Sequence, residues 1–275
     1  MNNVTSETIQ TKELSLDIVI NSHCDLNCIG CFRFSPLCKE DKRIYDLTVF
    51  ENDLKRLKEL GFKIKRFSLN GGEPTLNKNL FEYAKIIDKI YPESDKNIFT
   101  NCKFLEICKD DFLQNLKKHN LSVIYTNYVY SKIKYAKILD RLDKFGIIHF
   151  NVPKYFLNLS VYKTSMNKIL TTEPNHDPFK NLEKCLINCL SLRNSKLYRC
   201  GLLTNIDKMN EKFGCDFKVS ETDVLDIFKL ENPEQLFELL DKPLDFCKYC
   251  NIPKLQITKW RKSKCEKTEW ILDEN

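Results

Sequence analysis

A chain of 275 residues, 42% apolar and 30% charged, can bury a sizeable core and is not disordered in composition. It has no run of about 18 apolar residues, so no membrane-spanning helix is expected, and its polar start through Leu14 lacks the apolar stretch of a secretory signal. The expected location is therefore the cytoplasm. A net charge of +6, spread along the chain, permits an anionic substrate without demanding nucleic acid, so neither nucleic acid nor membrane is an expected partner.

Leu16, Ile18 and Ile20 alternate with other residues and predict a first strand. A helix is predicted from about Leu47 to Leu60, with Phe50, Leu54, Leu57 and Leu60 as its apolar stripe and Gly61 as its stop. Strand Phe67–Leu69 follows, then a helix from about Asn79 to Tyr91 stopped by Pro92. Ile98-Phe99 reads as a third strand, Asp111 to His119 as a helix and Leu121 to Tyr125 as a fourth strand. A long helix capped by Ser131 closes at Gly146, and Ile147 to Val152 makes a fifth strand, with a sixth weighed at Phe156 to Val161. The repeat is βα, so the sheet should be parallel with helices outside it. Five or six strands fall short of the eight in a closed barrel, which makes the expectation a partial TIM-like (β/α) barrel. Its chemistry would sit at the carboxyl ends of the strands.

The character changes after about Tyr162. Residues 163–184 are polar and read as a connection. A hairpin is predicted at Leu190 to Tyr198, turning through Asn194-Ser195, and a helix after Asn232-Pro233.

Thirteen cysteines are too many for an ordinary reduced enzyme, and an odd number leaves a disulfide framework incomplete. Clustered thiols in a reducing compartment bind metal or do redox chemistry. Cys24, Cys28 and Cys31 have the spacing C-x3-C-x2-C directly after the first strand. Three thiolates can hold three irons of a cubane and leave the fourth open to a ligand. A zinc site, or a closed cluster completed by Cys38, is the plain alternative. Asn70-Gly71-Gly72-Glu73-Pro74 follows the second strand, where glycines allow close backbone approach and Glu73 can accept hydrogen bonds from an ammonium.

Together the two motifs resemble the radical SAM superfamily. The resemblance implies a [4Fe–4S] cluster on Cys24, Cys28 and Cys31, with S-adenosylmethionine on the open iron. It also implies that the methionine amino group binds at Gly71, Gly72, Glu73 and Pro74. An electron donor such as flavodoxin or ferredoxin would start cleavage to a 5′-deoxyadenosyl radical, which takes hydrogen from the substrate. The family's aromatic before the third cysteine is Gly30 here, and its Thr-Asn-Gly is Thr100-Asn101-Cys102. Asn101, and Asn127 after the fourth strand, are further cofactor contacts on this resemblance.

From Cys185 onward lie seven of the thirteen cysteines. Cys185, Cys200, Cys247 and Cys250 suffice for a closed four-thiolate site, with structural zinc as the alternative occupant. The arrangement resembles the Twitch domain, the short form of the SPASM extension, and implies a second, auxiliary [4Fe–4S] cluster. Cys189 competes with Cys185 as first ligand, and Ser195 stands where the family motif has Gly. Cys38, Cys108, Cys215 and Cys265 read as ordinary thiols. The expected division is a partial barrel over 15–162, a connection over 163–184 and a Twitch-like domain over 185–275. Short radical SAM/Twitch proteins include the butirosin-type aminoglycoside dehydrogenase and the molybdenum cofactor cyclase.

The expected activity is hydrogen abstraction from a small polar substrate, such as a sugar or sugar nucleotide, with oxidation or epimerisation as the outcome. Three alternatives stand beside it: a SPASM-type peptide or protein maturase, an activase for a glycyl-radical enzyme, and a metal-binding module without catalysis. About fourteen residues precede the first strand, too few for the leader-gripping domain of many maturases. No residue apart from the cysteines stands out as a catalytic acid, base or hydrogen donor.

Overall fold

Leu16, Ile18 and Ile20 are buried and alternate with Asp17, Val19 and Asn21 along β1 (Leu14–Asn21), so the strand has two unlike faces. The computed structural model of the chain describes residues 13–128, 132–151, 166–185 and 189–272. β2 (Ile64–Gly71), β3 (Asp95–Thr100), β4 (Leu121–Tyr125) and β5 (His149–Asn151) follow β1, each parallel to the one before. Between them run α1 (Leu47–Glu59), α2 (Leu80–Ile90), α3 (Lys103–Ile107), α4 (Asp110–Lys118) and α5 (Lys132–Lys144). Asp46 caps α1 by accepting from the amides of Thr48 and Val49, and Phe50, Leu54 and Leu57 bury its stripe. Leu16, Ile18, Ile20, Phe67, Leu69, Ile98, Val123 and Tyr125 share one core with these helices. The sequence did not announce the α3 turn, nor the short 3-10 turns Ser35–Cys38 and Pro74–Leu76. The expected Ser131 cap and the strand weighed at 156–161 lie outside the described residues.

The second half adds β6 (Met166–Lys168), α6 (Pro178–Lys184), β7 (Ser191–Arg193), β8 (Lys196–Tyr198), α7 (Asp207–Phe213), β9 (Val224–Asp226), α8 (Glu234–Leu240) and β10 (Gln256–Thr258). The stretch read as a connection thus holds a strand and a helix. β6 pairs antiparallel with β10, and α6 is capped by Asp177 with Pro178 in its first turn. The predicted hairpin forms, and β7 also lies parallel beside β1. The sheet therefore runs β5-β4-β3-β2-β1-β7-β8-β9, eight strands and mainly parallel, in an α/β fold. Among the described residues no helix is long and apolar enough to cross a membrane.

The face of the sheet away from the helices carries a polar row. Asp17 pairs in register with Ser68 on one side and Ser191 on the other, Ser68 with Asn97, and Asn97 with Ser122. Five polar side chains therefore form one row across the sheet. The Asn97 side-chain oxygen is buried and has no partner among the described residues. Arg33 closes the row at Asp17 with an ion pair of 2.9 Å and donates to Ser191 Oγ at 3.1 Å.

The hairpin turn has no glycine. Asn194 (φ +45°) and Ser195 (φ +62°) both take the left-handed conformation that such a turn requires. Buried Asp53 of α1 compensates: it accepts from the Ser195 amide at 2.7 Å and hydroxyl at 2.8 Å, and from the Tyr45 hydroxyl. Asp53→Ala should therefore cost about 3 kcal/mol, because each orphaned buried donor costs about 1–3 kcal/mol. Urea denaturation measures this, and a loss below about 1 kcal/mol would contradict the role given to Asp53.

Candidate metal centre

β1 ends at Asn21, and the cysteine loop begins two residues later. The Asn21 side-chain amide donates to the carbonyls of His23 (3.0 Å) and Glu73 (3.2 Å). The amides of Gly72 and Glu73 donate to the carbonyls of Asn21 and His23, each at 2.9 Å. This contact explains both glycines. A Cβ on Gly71 would lie 1.9 Å from the Asn21 carbonyl oxygen, and one on Gly72 would lie 2.0 Å from that of His23. The close approach that the glycines permit is to the chain's own cysteine loop.

Glu73 is 1% exposed. Its Oε1 accepts from the Thr75 amide (3.2 Å), Thr75 Oγ1 (2.7 Å) and Thr100 Oγ1 (2.8 Å), and its Oε2 from the Asn101 amide (2.9 Å). Among the described residues no cation pairs with it. Burial pushes its pKa above the ordinary carboxylate value, against the pull of those four donors. Asn101 also donates to Asp25 Oδ1 at 3.1 Å, and Asp25 pairs with Lys103 at 3.1 Å. Cys102 sits at φ +65°, a left-handed position that explains why glycine suits this place in the related pattern. Its side chain is buried in the main core.

One cavity gathers these groups. Cys24, Cys28 and Cys31 line it with Gly72, Glu73, Thr100, Asn101, Thr126 and Tyr128. These come from the loops at the carboxyl ends of β1, β2, β3 and β4. Pro74 and Asn127 are buried but do not line it. Cys38 is buried and does not line it either. Ser35 also lines the cavity, and its hydroxyl is buried without a partner among the described residues. Sequence reasoning missed Ser35 and Tyr128, since a serine after a cysteine motif and a tyrosine past a strand carry no periodic signal. It also missed Trp260, whose indole N–H donates to Cys28 Sγ at 3.0 Å.

Burial and repulsion from neighbouring groups push two of these thiols up, Cys28 to about 12 and Cys24 further, with Glu73 adding to the repulsion at Cys24. Metal binding releases the protons of the thiols it takes as ligands. The donor set suits an iron–sulfur cluster: three thiols on one loop, a buried carboxylate lacking a cation, and an orphan hydroxyl around one cavity. Among the described residues no three His, Cys, Asp or Glu side chains converge as ligands of a single ion do. A cubane instead takes each cysteine on a separate iron.

A second cavity lies between α6, the segment after β8 and the Cys247–Cys250 turn. Cys185, Cys200, Cys247 and Cys250 all line it, with Arg199, Leu202, Phe246 and Ile252 among the others. Asn181 fixes the turn, donating to the carbonyls of Cys247 (2.9 Å) and Cys250. Burial pushes the thiols of Cys200 and Cys250 well up, and neighbouring cysteines add to it. Cys189 does not line this cavity. It packs against Gly201, where an added Cβ would lie 2.8 Å from its sulfur and 3.2 Å from the Arg33 guanidinium.

The 4Fe-4S single cluster domain family matches residues 17–144. Among solved structures, BtrN in complex with AdoMet and 2-DOIA superposes with a TM-score of 0.54 at 17% identity, covering 87% of this chain and 93% of that one. Native anSMEcpe with bound AdoMet gives 0.50 at 15% identity, covering 86% and 82%. No curated protein matches the sequence significantly. The likeness to these two solved structures is one of fold, and residues 17–144 carry the 4Fe-4S single cluster domain match.

The raised pKa of Glu73 has a pH signature. The folded state holds this proton more tightly than the unfolded state. The resulting stability is complete below the unfolded value of about 4.3 and is lost as pH rises through the folded one. Glu73→Gln should flatten the decline of the metal-free protein's stability above about pH 5. Denaturation midpoints from pH 4 to 8 check this, and parallel curves for the two proteins would contradict it.

Proposed function

We propose that the chain is an enzyme that holds a [4Fe–4S] cluster on Cys24, Cys28 and Cys31, binds S-adenosylmethionine beside it, and abstracts hydrogen from a small polar substrate, with oxidation or epimerisation as the outcome. The observation that carries this reading is the single cavity lined by the three thiols, Glu73 and the orphan Ser35 hydroxyl. When bound, the cluster and S-adenosylmethionine together supply a 5′-deoxyadenosyl radical. The fold likeness to two proteins whose solved structures hold AdoMet supports that pairing.

The chain's own residues have distinct roles in this reading. Three thiolates hold the cluster and leave one iron for the cofactor. Glu73, buried without a cationic partner among the described residues, receives the ammonium of the cofactor's methionine part, in the setting shaped by Gly71, Gly72 and Pro74. Asn101, which lines the cavity, serves as a further cofactor contact, whereas Asn127 follows Thr126 of the wall without lining the cavity itself. Leu26 and Tyr128 exclude water from the cavity they line. The in-register polar row from Ser122 to Ser191, closed by Arg33, supports a polar substrate, because an apolar one would leave buried polar atoms unpaired.

The second cavity is assigned an auxiliary [4Fe–4S] cluster on Cys185, Cys200, Cys247 and Cys250, in a Twitch-like domain over 185–275. Residues 15–162 then form the partial barrel and 163–184 the connection. Four thiolates close that cluster, which would carry electrons or stabilise its domain. In the cytoplasm, flavodoxin or ferredoxin would supply the electron.

Protein reconstituted without oxygen should hold roughly eight irons and eight sulfides per chain. With a strong reductant it should release methionine and 5′-deoxyadenosine from S-adenosylmethionine. Cys24→Ala, Cys28→Ala and Cys31→Ala should each abolish that release. Cys185→Ala should lose the second cluster and Cys189→Ala should keep it, as read by iron analysis. Release that survives loss of the three N-terminal cysteines would overturn the reading.

A further inference from the structure

The segment from Trp260 to Leu272 lies over the cysteine loop at the other end of the sequence. Lys262 forms an antiparallel bridge to Cys28. The Ile29 amide donates to the Arg261 carbonyl at 3.0 Å, and the Ser263 amide to the Asn27 carbonyl at 2.8 Å. Further along, the Trp270 indole N–H donates to the Cys31 carbonyl at 3.1 Å. The segment is a strap fastened across residues 27–31.

Glu269 pins the strap from beneath. It is 1% exposed and accepts from Arg261 Nη1 (2.7 Å), the Lys264 amide (3.0 Å), the Cys265 amide (3.2 Å) and the Ser263 hydroxyl. A buried carboxylate with four donors, one of them cationic, fixes the path of the turn it holds. That path carries Trp260 to Cys28, where its N–H meets the sulfur at 3.0 Å. Trp260 packs with Leu26, Cys28 and Ile29 in a small cluster separate from the two larger cores.

We propose that Trp260 is a positioning residue for Cys28 that raises the reduction potential of the cluster on Cys24, Cys28 and Cys31. The proposal rests on the cluster assignment above. An indole N–H only donates, and it bonds a thiolate more strongly than a thiol. Adding an electron to a thiolate-bound cluster increases negative charge on its sulfurs. The donor therefore stabilises the reduced state more than the oxidised one, and hydrogen bonds to ligand sulfurs are among the factors that set cluster potential. The strap makes this donor available from a residue 232 positions away in sequence.

The test is a redox titration of the full reconstituted chain, followed by electron paramagnetic resonance, in wild type and Trp260→Phe. Phenylalanine keeps an aromatic ring over the loop and removes only the donor. Iron and sulfide should be unchanged while the midpoint of the first cluster moves to more negative potential. An unchanged or more positive midpoint in a fully loaded variant overturns the proposal and leaves the cluster assignment standing. A wild-type chain that takes up no cluster on the three cysteines overturns both. Should the variant fail to load, wild-type protein labelled with 15N-tryptophan decides. Hyperfine coupling of an indole nitrogen to the reduced cluster through the Cys28 sulfur supports the proposal, and its absence overturns it.

Discussion

A buried carboxylate, Glu73, without a counter-cation among the described residues is the constraint on which the site depends. Ionising a group in the position of Glu73 is costly unless donors surround it. The donors here come from Thr75 after β2 and from Thr100 and Asn101 at the end of β3. Satisfying the charge therefore ties the ends of two strands together. The Glu73 amide and carbonyl tie the same residue to His23 and Asn21 at the end of β1. The cysteine loop is thus held by the residue that presents the charge, and one set of hydrogen bonds fixes both.

The loop is held from two further sides. The strap of Trp260 to Leu272 covers it, and Arg33, two residues past Cys31, anchors it to the sheet. The Arg33 guanidinium reaches Asp17 of β1, Ser191 of β7 and the carbonyl of Gly201, the residue after Cys200. A single side chain thereby links the first cysteine loop, the polar row of the sheet and the start of the second cysteine site. Burial pushes the Asp17 carboxyl up while Arg33 pulls it down, so the pair is kept together by position in a partly desolvated setting.

Local patterns were legible in the sequence where they repeat. β1 and α1 declare themselves through apolar spacing, and Cys24, Cys28, Cys31, Glu73 and Asn101 through motif position, and all five of these residues line one cavity. Pro74 and Asn127, named by the same reasoning, do not line it. β6 and β10 were not legible, because three-residue strands that pair across about ninety positions show no periodicity. α6 carried its signal in Asp177-Pro178 but is short enough to pass for a connection. The place of β7 beside β1 depends on tertiary pairing, and so does the reach of Trp260. Ser195 in place of glycine was legible as a departure, but its remedy, Asp53, lies 142 positions upstream.

The most direct test of the central claim is the electron paramagnetic resonance spectrum of the anaerobically reduced protein, with and without S-adenosylmethionine. The account predicts that the cofactor changes the signal of one cluster and leaves the other unaltered. The changed signal should be the one missing from the Cys24→Ala, Cys28→Ala, Cys31→Ala variant. A spectrum that S-adenosylmethionine leaves untouched, or a response that persists in that variant, would contradict it.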